Sequence, residues 1–245
     1  MLRSLSSRLV GLALVATTVV AVQATTAAEA STSSAMYGAP KAGSCYSISG
    51  KAVAKRATSA RAHSCRKAHT LWVAGVARVP ASMDITTADT APPLIALVMK
   101  ACGSAVGHKI GKLGRSWGLS AYNWYWFFPT AQQQRGAHWI SCEVGITAGK
   151  NRLVTTRQVK PTHMSMNPRN NLRLCGTKTY YFTNCARAHA FRATYAQVYR
   201  ATDATYQAKA ARLCTRHLRG HGWMYAHRYL HGHRWVVSCL QRNHH

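Results

Sequence analysis

Apolar and polar positions alternate along this chain in short runs, and the runs come in one order twice. Leu71 to Val79 is an apolar, valine-containing stretch that stops at Pro80 and reads as a strand. Leu94 to Cys102 is apolar, follows Pro92-Pro93, and has Asp89 and Thr90 placed to cap it, so it predicts a helix. Gly103, Gly107, Gly111 and Gly114 predict that this helix breaks up. From Ala121 to Phe128, ending at Pro129, the residues Tyr122, Trp124, Trp126 and Phe128 recur at period two and share one face of a strand. A last strand of this half is expected around His138 to Cys142. In the second half, strands are expected near Leu172 to Phe182 and from Phe191 to Tyr199. A helix capped by Asp203 follows over Ala204 to His217, then a closing hairpin of Gly222 to Leu230 with Arg234 to Leu240.

The repetition is anchored by cysteine and histidine. Cys65-Arg66-Lys67-Ala68-His69 leads into the first apolar run, and Cys185-Ala186-Arg187-Ala188-His189 into its counterpart. One cysteine lies upstream of each (Cys45, Cys175), one in an alanine-rich segment after it (Cys102, Cys214), and one closes the unit after a Gly and a Trp (Cys142, Cys239). The second copy is shorter: second-to-third cysteine spacing falls from 37 to 29, and third-to-fourth from 40 to 25. Duplication with loop loss accounts for a shared order with unequal spacing. The expected fold class is α+β, two tandem small units, each an antiparallel sheet with one helix and two disulfides.

The N-terminus is ordered as a secretory signal, with basic Arg3 and Arg8, an apolar run from Leu9 to Val22, then small residues. Cleavage is expected after Ala30, with Ala24 the alternative; the 14-residue apolar run is short for a membrane span of about 20 residues. The remaining chain divides into a flexible tether over 31–42, a first unit over 43–145, a linker over 146–171 and a second unit over 172–245. Export gives eight cysteines a disulfide reading, because the bonds persist outside the reducing cytosol. Two four-cysteine units leave three pairings each. The preferred set joins Cys45–Cys65, Cys102–Cys142, Cys175–Cys185 and Cys214–Cys239, closing local loops of about 10 to 40 residues, each worth about 2–4 kcal/mol. Zinc sites want close pairs such as Cys-x2-Cys, and the chain has none.

Together these residues resemble the actinobacterial septum-formation-related domain. Its pattern is Gly-x-Cys, Cys-x3-His, a lone helical Cys, then Pro, Trp and Gly before a final Cys. Gly43-Ser44-Cys45, Cys65 with His69, Cys102, Pro129, Gly136 and Cys142 fit the first copy. Leu174-Cys175, Cys185 with His189, Cys214, Gly232 and Cys239 fit the second. The family carries an acid after the histidine where this chain has Trp72 and Arg192, and the second copy lacks the opening Gly and the late Pro. The resemblance implies an envelope protein of an actinobacterial cell, tied to the septum and cell division, and it brings no catalytic activity.

Charge narrows the partners further. Thirty-two Lys and Arg face five acids, a formal net charge of +27, and loss of the signal changes this by one. Such a cation self-repels and attracts polyanions. The expected partner is an anionic envelope polymer or an anionic membrane surface, with nucleic acid incidental for an exported protein. Candidate contacts are Lys51, Lys55, Arg56, Arg61, Arg66 and Lys67 in a basic loop between two cysteines, and Arg219, Arg228 and Arg234 among C-terminal aromatics. Paired-carboxylate catalysis is all but excluded, since only Asp84, Asp89, Glu143 and Asp203 follow the signal and they are scattered. His69 and His189, repeated in register, are expected to bond backbone carbonyls and fix the start of a strand. The alternative is a histidine-dependent phosphodiesterase or nuclease, and a third reading is a cationic antimicrobial or toxin. His227, His231 and His233 are expected on one face of a strand at period two, which makes them a metal-binding candidate; the alternative is that the thirteen histidines make a surface whose charge rises on acidification. The leading expectation is a secreted, cell-envelope-associated, non-enzymatic binding protein with no cofactor.

Overall fold

Leu71, Val73 and Val76 point to one side of a strand and Trp72 and Ala74 to the other, and both sides are covered. In the computed structural model this strand is one of the two inner members of a four-stranded antiparallel sheet. The structure describes residues 35–85, 92–134, 136–218 and 222–243. The expected signal, the first residues of the tether, the cap candidates Asp89 and Thr90, and Arg219 lie outside the described residues.

The first unit comprises β1 (Cys45–Tyr46), α1 (Gly50–Val53), β2 (Leu71–Arg78), α2 (Pro92–Ile110), α3 (Arg115–Leu119), β3 (Tyr122–Phe127) and β4 (Trp139–Ile146). Its sheet has the order β1-β2-β4-β3. The second comprises β5 (Leu174–Gly176), β6 (Phe182–Asn184), β7 (Phe191–Arg200), α4 (Tyr206–His217), β8 (Trp223–Leu230) and β9 (Arg234–Arg242), in the order β6-β5-β7-β9-β8. Without β6 the two sheets have the same plan, and the expected α+β class is what is observed. The match extends to a break in register. β2 slips between Val73 and Gly75 opposite Glu143 and Cys142, and β7 between Ala193 and Tyr195 opposite Leu240 and Cys239. A bulge at the same place in both copies adds local twist where the helix is bolted on.

All four disulfides have the preferred pairing: Cys45–Cys65, Cys102–Cys142, Cys175–Cys185 and Cys214–Cys239. In each unit one bridge ties the first strand to the Cys-x3-His turn, and the other ties the helix to the last strand.

Several local expectations need correction. α2 does not break at Gly103 or Gly107; it runs unbroken to Ile110 and ends where Gly111 takes φ 94°. Leu94, Val98, Cys102, Val106 and Ile110, every fourth residue, are all buried. Packing along that stripe, with the Cys102 bridge, outweighs about 1 kcal/mol per glycine of lost propensity. The helix approaches β2 so closely that a Cβ on Gly75 would lie 2.6 Å from the Ala105 Cβ. The single strand expected near Leu172 to Phe182 is a hairpin, β5 and β6. Its turn is closed by Thr177 N–H to the Tyr181 carbonyl (2.8 Å) and by the Thr177 hydroxyl accepting from Tyr181 N–H (3.0 Å).

The segments flanking the first unit are bound to it. Of the expected tether, 35–42 lies against β4: the Ala35 carbonyl accepts from His138 N–H at 2.8 Å and the Tyr37 carbonyl from Trp139 Nε1 at 2.9 Å. Along the expected linker, His69 and Thr156 exchange two backbone hydrogen bonds, and the Gln158 carbonyl accepts from Trp72 Nε1 at 2.8 Å.

One apolar core runs through both units. It joins α2, Trp72, Trp124 and Ile140 of the first to Phe191, Met224, Val236 and Leu240 of the second. α4 covers one face of the second sheet through Ala210 and Cys214. The opposite face is covered by α3, a short helix of the first unit with no counterpart among the described residues of the second copy.

Candidate functional site

The two repeated histidines do the same local job. His69 Nδ1 donates to the Lys67 carbonyl at 2.8 Å and His189 Nδ1 to the Arg187 carbonyl at 2.7 Å. Each bond closes the turn between the cysteine and the strand. His69 is fully buried, packs edge-on against Trp72 with ring centroids 5.1 Å apart, and leaves Nε2 without a partner. His189 is half-buried. The two lie in different units, and His69 presents no atom to solvent. His69→Ala should therefore lower stability by about 2 kcal/mol or more, and His189→Ala by about 1 kcal/mol or less. The urea midpoints check this; a wild-type midpoint for His69→Ala would contradict it.

The metal candidate does not assemble. His227 is on β8, but His231 and His233 lie in the turn after it, not on the strand face, because the chain reverses at Gly232 and His233 with φ 73° and 55°. His227 instead packs among Tyr206, Tyr225 and Trp235, with centroid separations of 4.6, 6.1 and 5.9 Å, and burial lowers its pKa. Among the described residues, only Cys175, Cys185 and His189 converge closely enough to suggest ligation. Those two sulfurs are bonded to each other and supply no thiolate.

The cationic candidates divide in two. Lys51, Lys55, Arg61, Arg66, Lys67 and Arg234 are exposed. Arg56 is half-buried and stacks over Trp126, its Cζ 4.3 Å from the ring centroid. Arg228 is a correction to the surface reading. Its guanidinium lies at the junction, Nη1 donating to the Trp117 carbonyl at 2.5 Å and Nη2 to the Ser120 carbonyl at 3.0 Å. Its Cζ is 4.9 Å from the Trp117 ring centroid. Desolvation pulls its pKa down to about 10. Period-two alternation puts Arg228 on a strand face, but here another unit covers that face.

What the two sheets build together is a groove. β3 is the outer strand of the first sheet and β8 of the second. Residues of both strands line an open cavity of about 730 Å³. Trp124, Trp126, Tyr125 and Asn123 come from β3, and His227, Arg228 and Tyr229 from β8; Arg56 and Arg152 also line it. A second cavity of about 620 Å³ shares Met99, Trp124 and Tyr229 with the first and continues to Lys100 and Arg234. Asn123, Tyr125 and Arg152 were missed as site residues. Arg152 belonged to an apparent linker, and only the meeting of two sheet edges gives the others a role.

Comparisons with protein-family models, curated proteins and solved structures match the chain to none of them. Four disulfides suit an oxidising, extracytoplasmic compartment. No helix among the described residues is long and apolar enough to cross a membrane.

Proposed function

We propose that this is an exported, disulfide-stapled binding protein that associates with an anionic polymer of the cell envelope. The septal association implied by the cysteine–histidine pattern is part of that reading. The observation that carries it is the distribution of acids. Glu143 is fully buried, so among the described residues only Asp84 and Asp203 bring carboxylates to the surface. Exposed lysines and arginines face solvent with almost nothing of opposite sign to offset them. A surface held for solubility alone mixes both signs. The buried His69 and the separation of the two histidines into different units give no support to a shared phosphodiester site.

Retention of the protein on isolated cell walls tests the proposal. Binding through counterion release makes the logarithm of affinity fall linearly with the logarithm of salt, by about 0.7–0.9 per phosphate neutralised. Retention should collapse between about 50 and 200 mM salt and should be lost from walls stripped of their anionic polymers. Retention indifferent to salt and to stripping would refute it.

A further inference from the structure

The groove between β3 and β8 holds a positive charge, Arg228, that is hydrogen-bonded by no carboxylate among the described residues. Its two hydrogen bonds both go to carbonyl oxygens. A guanidinium has five donors in a planar fork, so donors remain. The Tyr125 hydroxyl lies beside Arg228, Asn123 and Thr147, and all four residues line the cavity. A partly desolvated cation without a counter-charge is costly. Here it sits on the floor of an open cavity, the arrangement in which a bound anion would supply the missing partner.

The walls restrict the kind of anion. Half-buried Trp126 and Tyr229 supply the exposed aromatic surface; core residue Trp124 packs against Trp126 at 5.5 Å between centroids, and Arg56 stacks on Trp126. Tyr229 is on β8 and lines both cavities. Aromatic faces bind the C–H faces of sugar rings, and forked guanidiniums bind carboxylates bidentately. A small inorganic anion would use the floor and leave these walls idle, and a flexible acidic peptide offers them no rigid ring.

We infer that the β3–β8 groove is a binding site for a carboxylated sugar of an envelope polysaccharide, with Arg228 holding the carboxylate and the Trp and Tyr walls holding the ring. The inference rests on the proposed envelope association and adds a ligand class and a location to it. On this account binding has two layers: exposed basic residues gather the polymer by charge, and the groove selects within it. Saturation of the groove is one-to-one and largely resistant to moderate salt, because its charge contact is desolvated.

Intrinsic tryptophan fluorescence of the full chain, titrated with a galacturonic acid hexasaccharide, tests this directly. The neutral galactose hexasaccharide and linear polyglutamate serve as comparison probes. The expected result is one-site saturation by the acidic sugar, at least tenfold weaker binding of the neutral one, and loss of the acidic-sugar signal in Arg228→Gln. Because Arg228→Gln also removes junction hydrogen bonds, the double variant Tyr125→Phe with Arg152→Gln provides a second route. It should weaken acidic-sugar binding at least fivefold, with circular dichroism unchanged and polyglutamate binding altered less than twofold. Wild-type sugar affinity in the double variant, or equal loss for sugar and polyglutamate, overturns the groove while leaving the envelope reading standing. A wild-type protein that binds neither acidic probe overturns the groove, and loss of salt-dependent retention on isolated cell walls as well overturns both.

Discussion

Trp117→Ala is expected to destabilise the protein by about 3–5 kcal/mol, the range for removing a large buried aromatic, and to weaken the coupling of its two halves. Trp117 is 2% exposed and sits in α3, which has no counterpart among the described residues of the other copy. Its indole Nε1 donates to the Tyr122 carbonyl at 3.1 Å, its carbonyl receives Arg228, and its ring lies under the Arg228 guanidinium. Two residues earlier, Arg115 Nε donates to the Ala196 carbonyl of β7 at 3.0 Å. Directly after Trp117, Gly118 presses on the second sheet: a Cβ there would lie 2.6 Å from the Ala196 Cβ and 2.9 Å from Val236 Cγ2. Removing the indole opens a cavity in the core shared by both sheets and frees a buried guanidinium from its stacking partner. Gly118→Val attacks the same contact from the opposite direction, by overpacking, at about 1–3 kcal/mol or more. Urea unfolding followed by fluorescence and by circular dichroism is the measurement. Both variants should show lower midpoints, and Trp117→Ala should show transitions that no longer coincide between the two signals. A variant with the wild-type midpoint and a single coincident transition would mean that α3 does not join the units.

Why the junction was illegible, when so much else could be read, follows from what a local pattern encodes. Cysteine order and loop length determine the bridges, since the shortest closures were also the ones formed. The repeated Cys-x3-His reports a turn closed by its own imidazole, an interaction spanning two residues. Period two in Tyr122 to Phe128 and in Trp223 to Leu230 identifies strand faces, because pleat geometry is local. None of this says what lies across a face. Nothing in its own neighbourhood marks Gly118 until Ala196 is seen where its side chain would be. Arg228 looks like a surface cation until Trp117 and Ser120 offer it carbonyls. The contacts that make the groove join residues more than a hundred positions apart, so no window along the chain contains them.

The second large effect concerns the least common residue class in the chain. Glu143 is completely buried on β4, paired across the sheet with Val73 and Tyr125; neither carboxylate oxygen makes a well-formed hydrogen bond, and the neighbouring Ser141 hydroxyl offsets the burial only in part. Desolvation raises its pKa well above the ordinary 4.5. The same burial, with the nearby Glu143 charge second, pushes the Tyr46 phenol up as well. The sign of the linkage follows. Below the ordinary carboxylate range the group is protonated in both states and imposes no pH dependence. As pH rises above 4.5, the unfolded chain releases the proton while the folded chain retains it. Stability therefore falls, by up to about 1.4 kcal/mol per pH unit, until pH passes the raised folded value. The second copy shows the remedy, because Leu240 occupies the matching position one residue after the last cysteine and is fully buried. Glu143→Leu should stabilise the protein by about 1–3 kcal/mol near neutral pH, with the gain over wild type growing as pH rises from the carboxylate range. Glu143→Gln should remove the same pH dependence but gain less, because its amide stays buried and unpartnered. Urea midpoints of all three proteins over a pH series separate the histidines' contribution, common to all, from that of Glu143. Parallel pH curves for wild type and Glu143→Leu would show that this carboxyl titrates alike in both states, and the buried, protonated assignment would have to be abandoned.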